Sequence, residues 1–183
     1  MTLELIVAYP DAYAFVEPDP KEQNKKRLTI SGHGDKKGVM IGGIHYEEPE
    51  IARFIRTWTV GIANLHSVRI VCCNSADPDM KVSSLAMQLS KRFPTILIEG
   101  YVHKVTASCG FSDVYNIFRT HGSRAAEYGL NRYFSIFKDD PLYHFHSVVF
   151  LNGAQVDQAQ TINGYDFVTL GYDGKTQPCN VFK

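Results

Sequence analysis

Between residues 27 and 100 the chain alternates short apolar runs with amphipathic stretches, and this alternation constrains the fold more than any other feature. The run Arg27-Leu28-Thr29-Ile30-Ser31 reads as a buried strand that stops abruptly at Gly32-His33-Gly34. Residues 39–41 and 44–46 flank Gly42-Gly43, which is a hairpin signal. A helix then opens at Pro49, with Glu47, Glu48 and Glu50 in or near its first turn, where the helix dipole favours acidic groups. Ile51, Phe54, Ile55, Trp58 and Ile62 recur on one face of it. Residues 68–71 form the next apolar strand, which ends at Cys72-Cys73-Asn74. After the turn at Asp77-Pro78-Asp79 a second helix is predicted over 81–92, with Val82, Leu85, Ala86, Leu89 and Phe93 on one face and Pro94 as its stop. Residues 96–98 supply a third strand. Strands separated by helices predict an α/β sandwich around a mostly parallel sheet.

The flanks are less regular. Residues 3–8 read as a strand, and Pro10, Pro18, Pro20 and the charged run KEQNKK then predict a loop as far as residue 26. Residues 112–137 are mixed and partly helical, rich in aromatics such as Tyr115, Phe118, Tyr128 and Phe134. Apolar residues over 143–151, the turn at Asn152-Gly153 and a strand over 166–172 suggest a C-terminal β-hairpin or flap. A chain of 183 residues buries enough surface to fold as one domain without disulfides. The expected division is a catalytic pattern over 27–106 and an extension over 107–183, both within a single domain spanning 1–183.

Charge and cysteine usage narrow the function classes. Nineteen Lys and Arg balance nineteen Asp and Glu, which argues against a general binder of nucleic acid or anionic membrane. No window approaches the roughly 18 apolar residues of a membrane span. The N-terminal run MTLELIVAYPDAYAF has no basic start and is broken by Glu4 and Asp11, so a cleavable signal peptide is not expected. Cys72, Cys73, Cys109 and Cys179 show no zinc-ligand spacing, and reduced thiols in a cytosolic-type compartment are expected. A route out of the cell would then use no cleavable leader, or the chain belongs to a larger one. His144 and His146 share a strand face without a third ligand, so no metal site is expected there. The segment GHGDKKG over 32–38 lacks the order of a phosphate-binding loop.

Parallel sheets present reactive groups at the carboxyl ends of their strands. Two such ends here carry His33 and Cys73. A cysteine nucleophile needs a base and donors for the oxyanion. His33 can serve as base. Gly34 has no side chain to keep a carbonyl from its N–H, and Cys73 offers a second backbone donor. Cys72 competes for the nucleophile role, but strand alternation sends neighbouring side chains to opposite faces, so only one of the two cysteines faces His33.

An apolar strand ending in Ser31-Gly32-His33-Gly34, followed by an apolar strand ending in Val71-Cys72-Cys73-Asn74, resembles the caspase-like cysteine peptidases. Within that clan the pattern is most similar to the self-processing cysteine protease domain of large bacterial toxins and related injected effectors. There the base is followed by glycine, and the nucleophile follows a small residue and precedes a polar one. The resemblance covers residues 27–106 and selects Cys73 over Cys72, because Asn74 follows Cys73. It implies His33 as base, Cys73 as nucleophile and the Gly34 and Cys73 N–H groups as oxyanion donors. It further implies a substrate pocket on the strand after the nucleophile, at Glu99, Gly100 and Tyr101, and an upstream acid orienting His33, with Asp11, Glu17 and Asp19 as candidates. The expected substrate is a protein or peptide, either the chain itself or a host protein. Family members activated by inositol hexakisphosphate carry a dense basic pocket. Lys25, Lys26, Arg27, Arg53, Arg56, Lys91, Arg92 and Lys104 are the cations available for one here, within a balanced total. Two other readings remain open: a non-enzymatic effector interaction module, suggested by the aromatic tail, and a thiol acyltransferase on the same scaffold.

Overall fold

A computed structural model describes residues 3–79, 81–138, 145–162 and 165–166. In chain order the strands are β1 (Glu4–Tyr9), β2 (Ala12–Pro18), β3 (Lys26–Gly32), β4 (Gly38–Ile41), β5 (Ile44–Glu47), β6 (Leu65–Val71), β7 (Leu97–Tyr101), β8 (Val105–Ala107), β9 (Ile136–Lys138), β10 (Phe145–Leu151), β11 (Ala154–Ile162) and β12 (Tyr165–Asp166). The helices are α1 (Glu48–Trp58), α2 (Leu85–Arg92), α3 (Phe111–His121) and α4 (Ser123–Tyr133).

The central sheet runs β1-β2-β3-β6-β7-β10-β11, and β12, β9 and β8 continue it beyond β11. β3, β6 and β7 are mutually parallel. The flanking pairs β1–β2, β2–β3, β7–β10 and β10–β11 are antiparallel. The protein is therefore mixed α/β, parallel where helices α1 and α2 provide the crossovers and antiparallel in the flanking pairs. The loop expected over 10–26 is a correction: Ala12–Val16 is a buried strand between β1 and β3. Its prolines bound the strand instead of breaking it, since Pro10 sits in the preceding turn and Pro18 is its last residue. The second helix begins later than the expected 81, at Leu85, where the Ser84 hydroxyl caps it by accepting from the Met87 N–H at 3.3 Å. The hairpin turn Gly42-Gly43 has φ of +61° and +80°, which glycine adopts at no steric cost. β10 and β11 form a hairpin through Asn152-Gly153. The strand expected over 166–172 lies outside the described residues beyond Asp166, and His144 is likewise outside them.

Alternation along the strands sorts side chains onto the two sheet faces. Ala12, Ala14, Val16, Leu28, Ile30, Val68, Ile70 and Ile98 pack against Ile51, Ala52 and Ile55 of α1 and Leu85, Ala86 and Leu89 of α2. Tyr13 and Phe15 point the other way, onto Val114 of α3 and Ala126 and Leu130 of α4. Glu17, Arg27, Thr29 and Arg69 alternate with that apolar core on β2, β3 and β6. Arg27 donates to Glu17 Oε1 from Nε at 2.9 Å and from Nη2 at 2.6 Å. Arg69, fully buried, reaches the same oxygen from Nη2 at 3.1 Å and Thr29 Oγ1 from Nε at 3.1 Å. Burial pushes the Glu17 carboxyl up, but the Arg69 and Arg27 guanidiniums and their hydrogen bonds outweigh it and hold Glu17 below the usual carboxylate range.

Candidate active site

β3 and β6 are adjacent and parallel, with Ser31 opposite Val71 at their carboxyl ends. That register brings the segments carrying His33 and Cys73 to the same edge. Both residues line one cleft of about 240 Å³ together with Ser31, Val71, Val105, Ala107, Cys109 and Phe111. His33 is exposed and Cys73 half-buried.

The two cysteines separate as alternation requires. Cys72 is 1% exposed and belongs to the core facing α1 and α2. Burial pushes its thiol far above the ordinary cysteine range, with the neighbouring Cys73 adding to the effect. Cys73 instead faces the cleft, where its Sγ lies 3.5 Å from both the carbonyl and the N–H of Val105. Cys109, on the same cleft, has its thiol raised by burial.

The loop carrying Gly34 is held from several sides. Asp35 Oδ1 accepts from the N–H of Lys37 at 2.8 Å and of Gly38 at 2.9 Å, and contacts His45 Nε2 at 3.2 Å. Desolvation raises the Asp35 carboxyl, but these contacts prevail and hold it low. A bridge between Gly34 and Val39 uses the N–H groups of Asp35 and Met40, so the Gly34 N–H stays outside it. A Cβ at Gly34 would fall 2.7 Å from Cys72 Sγ and 2.8 Å from the Gly38 carbonyl oxygen. Gly34 is thus glycine because its backbone lies directly on Cys72, which gives the buried cysteine a supporting role.

The segment after Cys73 is stapled to the end of β7. The N–H of Asn74 donates to the His103 carbonyl at 2.8 Å, and that of Ala76 to the Tyr101 carbonyl at 2.9 Å. Asp77 Oδ2 accepts from the His103 N–H, and Ser75 Oγ from the Tyr101 N–H, each at 2.8 Å. Asn74 sits at φ +60°, a left-handed conformation that asparagine tolerates better than most residues. The polar residue after Cys73 therefore has a backbone reason. Among the described residues no backbone carbonyl takes the Cys73 N–H.

None of the three expected pocket residues lines this cleft. Glu99 is buried beside a separate crevice with Arg27, Ser67 and Asp19. Gly100 is pressed against Ala86 and the backbone of Ser75 and Ala76. Tyr101 is fully buried with Val71 and Val105. The wall opposite Cys73 is formed instead by residues 105–107 and 109–111, so the cleft draws on both sides of the expected boundary at 106. The three candidate orienting acids are also engaged away from His33. Asp11 accepts the Gly42 and Gly43 N–H groups at 2.7 and 2.8 Å, Glu17 holds the two arginines, and Asp19 accepts from Ser67 Oγ at 2.6 Å. Of the cations considered for a polyanion, Arg27 is buried on Glu17, Arg53 and Arg92 pair with Glu50 and Glu48, and Arg56 lies over the Phe93 ring. Sequence reasoning missed Phe111, Cys109 and Arg69. Only Arg69 had a signal, as a charged residue inside the apolar strand 65–71.

Among the described residues no group of three or more His, Cys, Asp or Glu is gathered for a metal, and no helix is long and apolar enough to cross a membrane. No protein-family model matches the chain, and no curated protein or solved structure matches it significantly.

Proposed function

We propose that the protein is a cysteine endopeptidase of the caspase-like, toxin or effector type, cleaving itself or a host protein. The observation that carries this reading is the shared cleft of His33 and Cys73 at the ends of adjacent parallel strands. Cys73, with its proton taken by His33, attacks the scissile carbonyl carbon and forms a C–S bond. The oxyanion sits on the N–H groups of Gly34 and Cys73. His33 returns the proton to the amine as the C–N bond breaks. Water, deprotonated by His33, then attacks the thioester and releases the acid and the thiol. One lost oxyanion donor raises such a barrier by about 3 kcal/mol.

The test is a peptide-library digest by the wild type, Cys73→Ala, Cys72→Ala and His33→Ala proteins, with products identified by mass spectrometry. Hydrolysed peptides from the wild type and Cys72→Ala, and none from Cys73→Ala, are expected. Products extended by an acceptor instead of water would make the protein an acyltransferase on the same residues. Undiminished cleavage by Cys73→Ala would remove the proposed nucleophile.

A further inference from the structure

A base histidine must be held at one orientation to pass a proton between a thiol and a departing amine. Each acid upstream in the chain that could orient His33 is committed elsewhere: Asp11 to the hairpin turn, Glu17 to the arginines and Asp19 to Ser67. Asp35, two residues on, is tied to its own loop and to His45. What does meet the His33 imidazole is the ring of Phe111, with centroids 4.8 Å apart and planes at 70°. This is the edge-to-face arrangement in which the positive rim of one ring meets the negative face of the other.

Phe111 is itself well supported. It is the first residue of α3 and packs with the cluster of Leu3, Leu5, Phe15 and Val114. Tyr13, 1% exposed on β2, lies behind it with its ring tilted by 53° and the centroids 5.8 Å apart. The Tyr13 hydroxyl donates to the Cys109 carbonyl at 2.9 Å, which fixes the turn leading into α3. A chain of packed rings thus runs from the sheet through Phe111 to His33.

We propose that Phe111 is the positioning residue for His33, an aromatic wall in the place of an orienting carboxylate; this rests on the endopeptidase reading above. Phe111 touches no reacting atom and acts through the orientation of the imidazole. It lies outside the segment whose pattern resembles the peptidase clan.

Phe111→Leu keeps the apolar volume that the cluster needs, and Phe111→Tyr keeps the ring. The experiment combines NMR of the His33 imidazole with steady-state cleavage kinetics on the full chain. In the wild type the carbon-bound ring protons of His33 carry a ring-current shift that Phe111→Leu loses and Phe111→Tyr retains. For Phe111→Leu, kcat falls on the order of 10²-fold with KM unchanged, the scale of a misplaced catalytic group. Phe111→Tyr restores the rate, and His33→Ala/Phe111→Leu is no slower than His33→Ala. His33 resonances unmoved by Phe111→Leu, or a Phe111→Leu loss that persists without His33, would overturn the inference alone. A wild-type chain that cleaves no peptide would overturn the endopeptidase reading and the inference with it.

Discussion

Replacing Gly34 by alanine tests how the loop and the buried cysteine support each other. The added Cβ would lie 2.7 Å from Cys72 Sγ, 2.8 Å from the Gly38 carbonyl oxygen and 2.9 Å from Cys72 Cβ. None of these neighbours can retreat cheaply. Cys72 is backed by the core at 1% exposure, and Gly38 is fixed between Asp35 and the β4–β5 hairpin. Overpacking of this kind costs about 1–3 kcal/mol. With a urea m-value of about 2 kcal/mol per M, a 2 kcal/mol loss moves the unfolding midpoint by about 1 M. The loop should relieve the clash by lifting off Cys72, which would carry the Gly34 N–H away from the proposed oxyanion position. Cleavage should therefore fall by about 10²–10³-fold, the effect of one lost donor. Adding Cys72→Ala removes the sulfur contact but leaves the Cβ and carbonyl contacts, so stability should recover only in part. Urea melts and peptide cleavage measured on Gly34→Ala and Gly34→Ala/Cys72→Ala decide the matter. A Gly34→Ala protein with the wild-type midpoint and rate would refute the packing and the donor role together.

Other consequences are open to measurement. Glu17→Ala removes the carboxylate that the buried Arg27 and Arg69 share and should cost about 3 kcal/mol in urea unfolding, at the low end of the range for a broken buried pair because the Glu17 side chain is 18% exposed. Because the folded Glu17 carboxyl is held below its ordinary value of 4.5, its contribution is present above that pH and is lost as pH falls through the lower folded value. An acid-unfolding titration should show this loss in the wild type and not in Glu17→Ala. Asn74→Val, forced to φ +60°, should destabilise by at least about 1 kcal/mol, whereas Asn74→Gly should be tolerated in a thermal melt. Iodoacetamide near pH 8 should modify Cys73 well before Cys72, whose thiol is buried and raised; peptide mapping that finds Cys72 first would contradict its placement in the core.

Much of the central scaffold was legible because its signals are local. Apolar runs at 27–31, 68–71 and 96–98 became β3, β6 and β7, and the helical spacing from Ile51 became α1. Strand alternation in the sequence alone also sends Cys72 and Cys73 to opposite faces. β2 was hidden because Pro10 and Pro18 mark both a loop and the limits of a strand, and only pairing with β1 and β3 decides between them. The wall of the cleft was not legible at all. Val105, Cys109 and Phe111 reach Cys73 and His33 through packing between segments more than 30 residues apart in the chain. Glu99 illustrates the converse: it follows a readable strand, but its side of the sheet depends on register, which turns it toward Arg27 and Ser67.

The central claim is that Cys73, activated by His33, is the nucleophile. A peptidyl acyloxymethyl ketone, which alkylates a cysteine only when it is an activated nucleophile, followed by peptide mapping, addresses this most directly. The account predicts a single adduct on Cys73, absent in Cys73→Ala, unaffected by Cys72→Ala and strongly slowed in His33→Ala. An adduct on Cys72 or Cys109, or labelling of Cys73 at the same rate without His33, would contradict it.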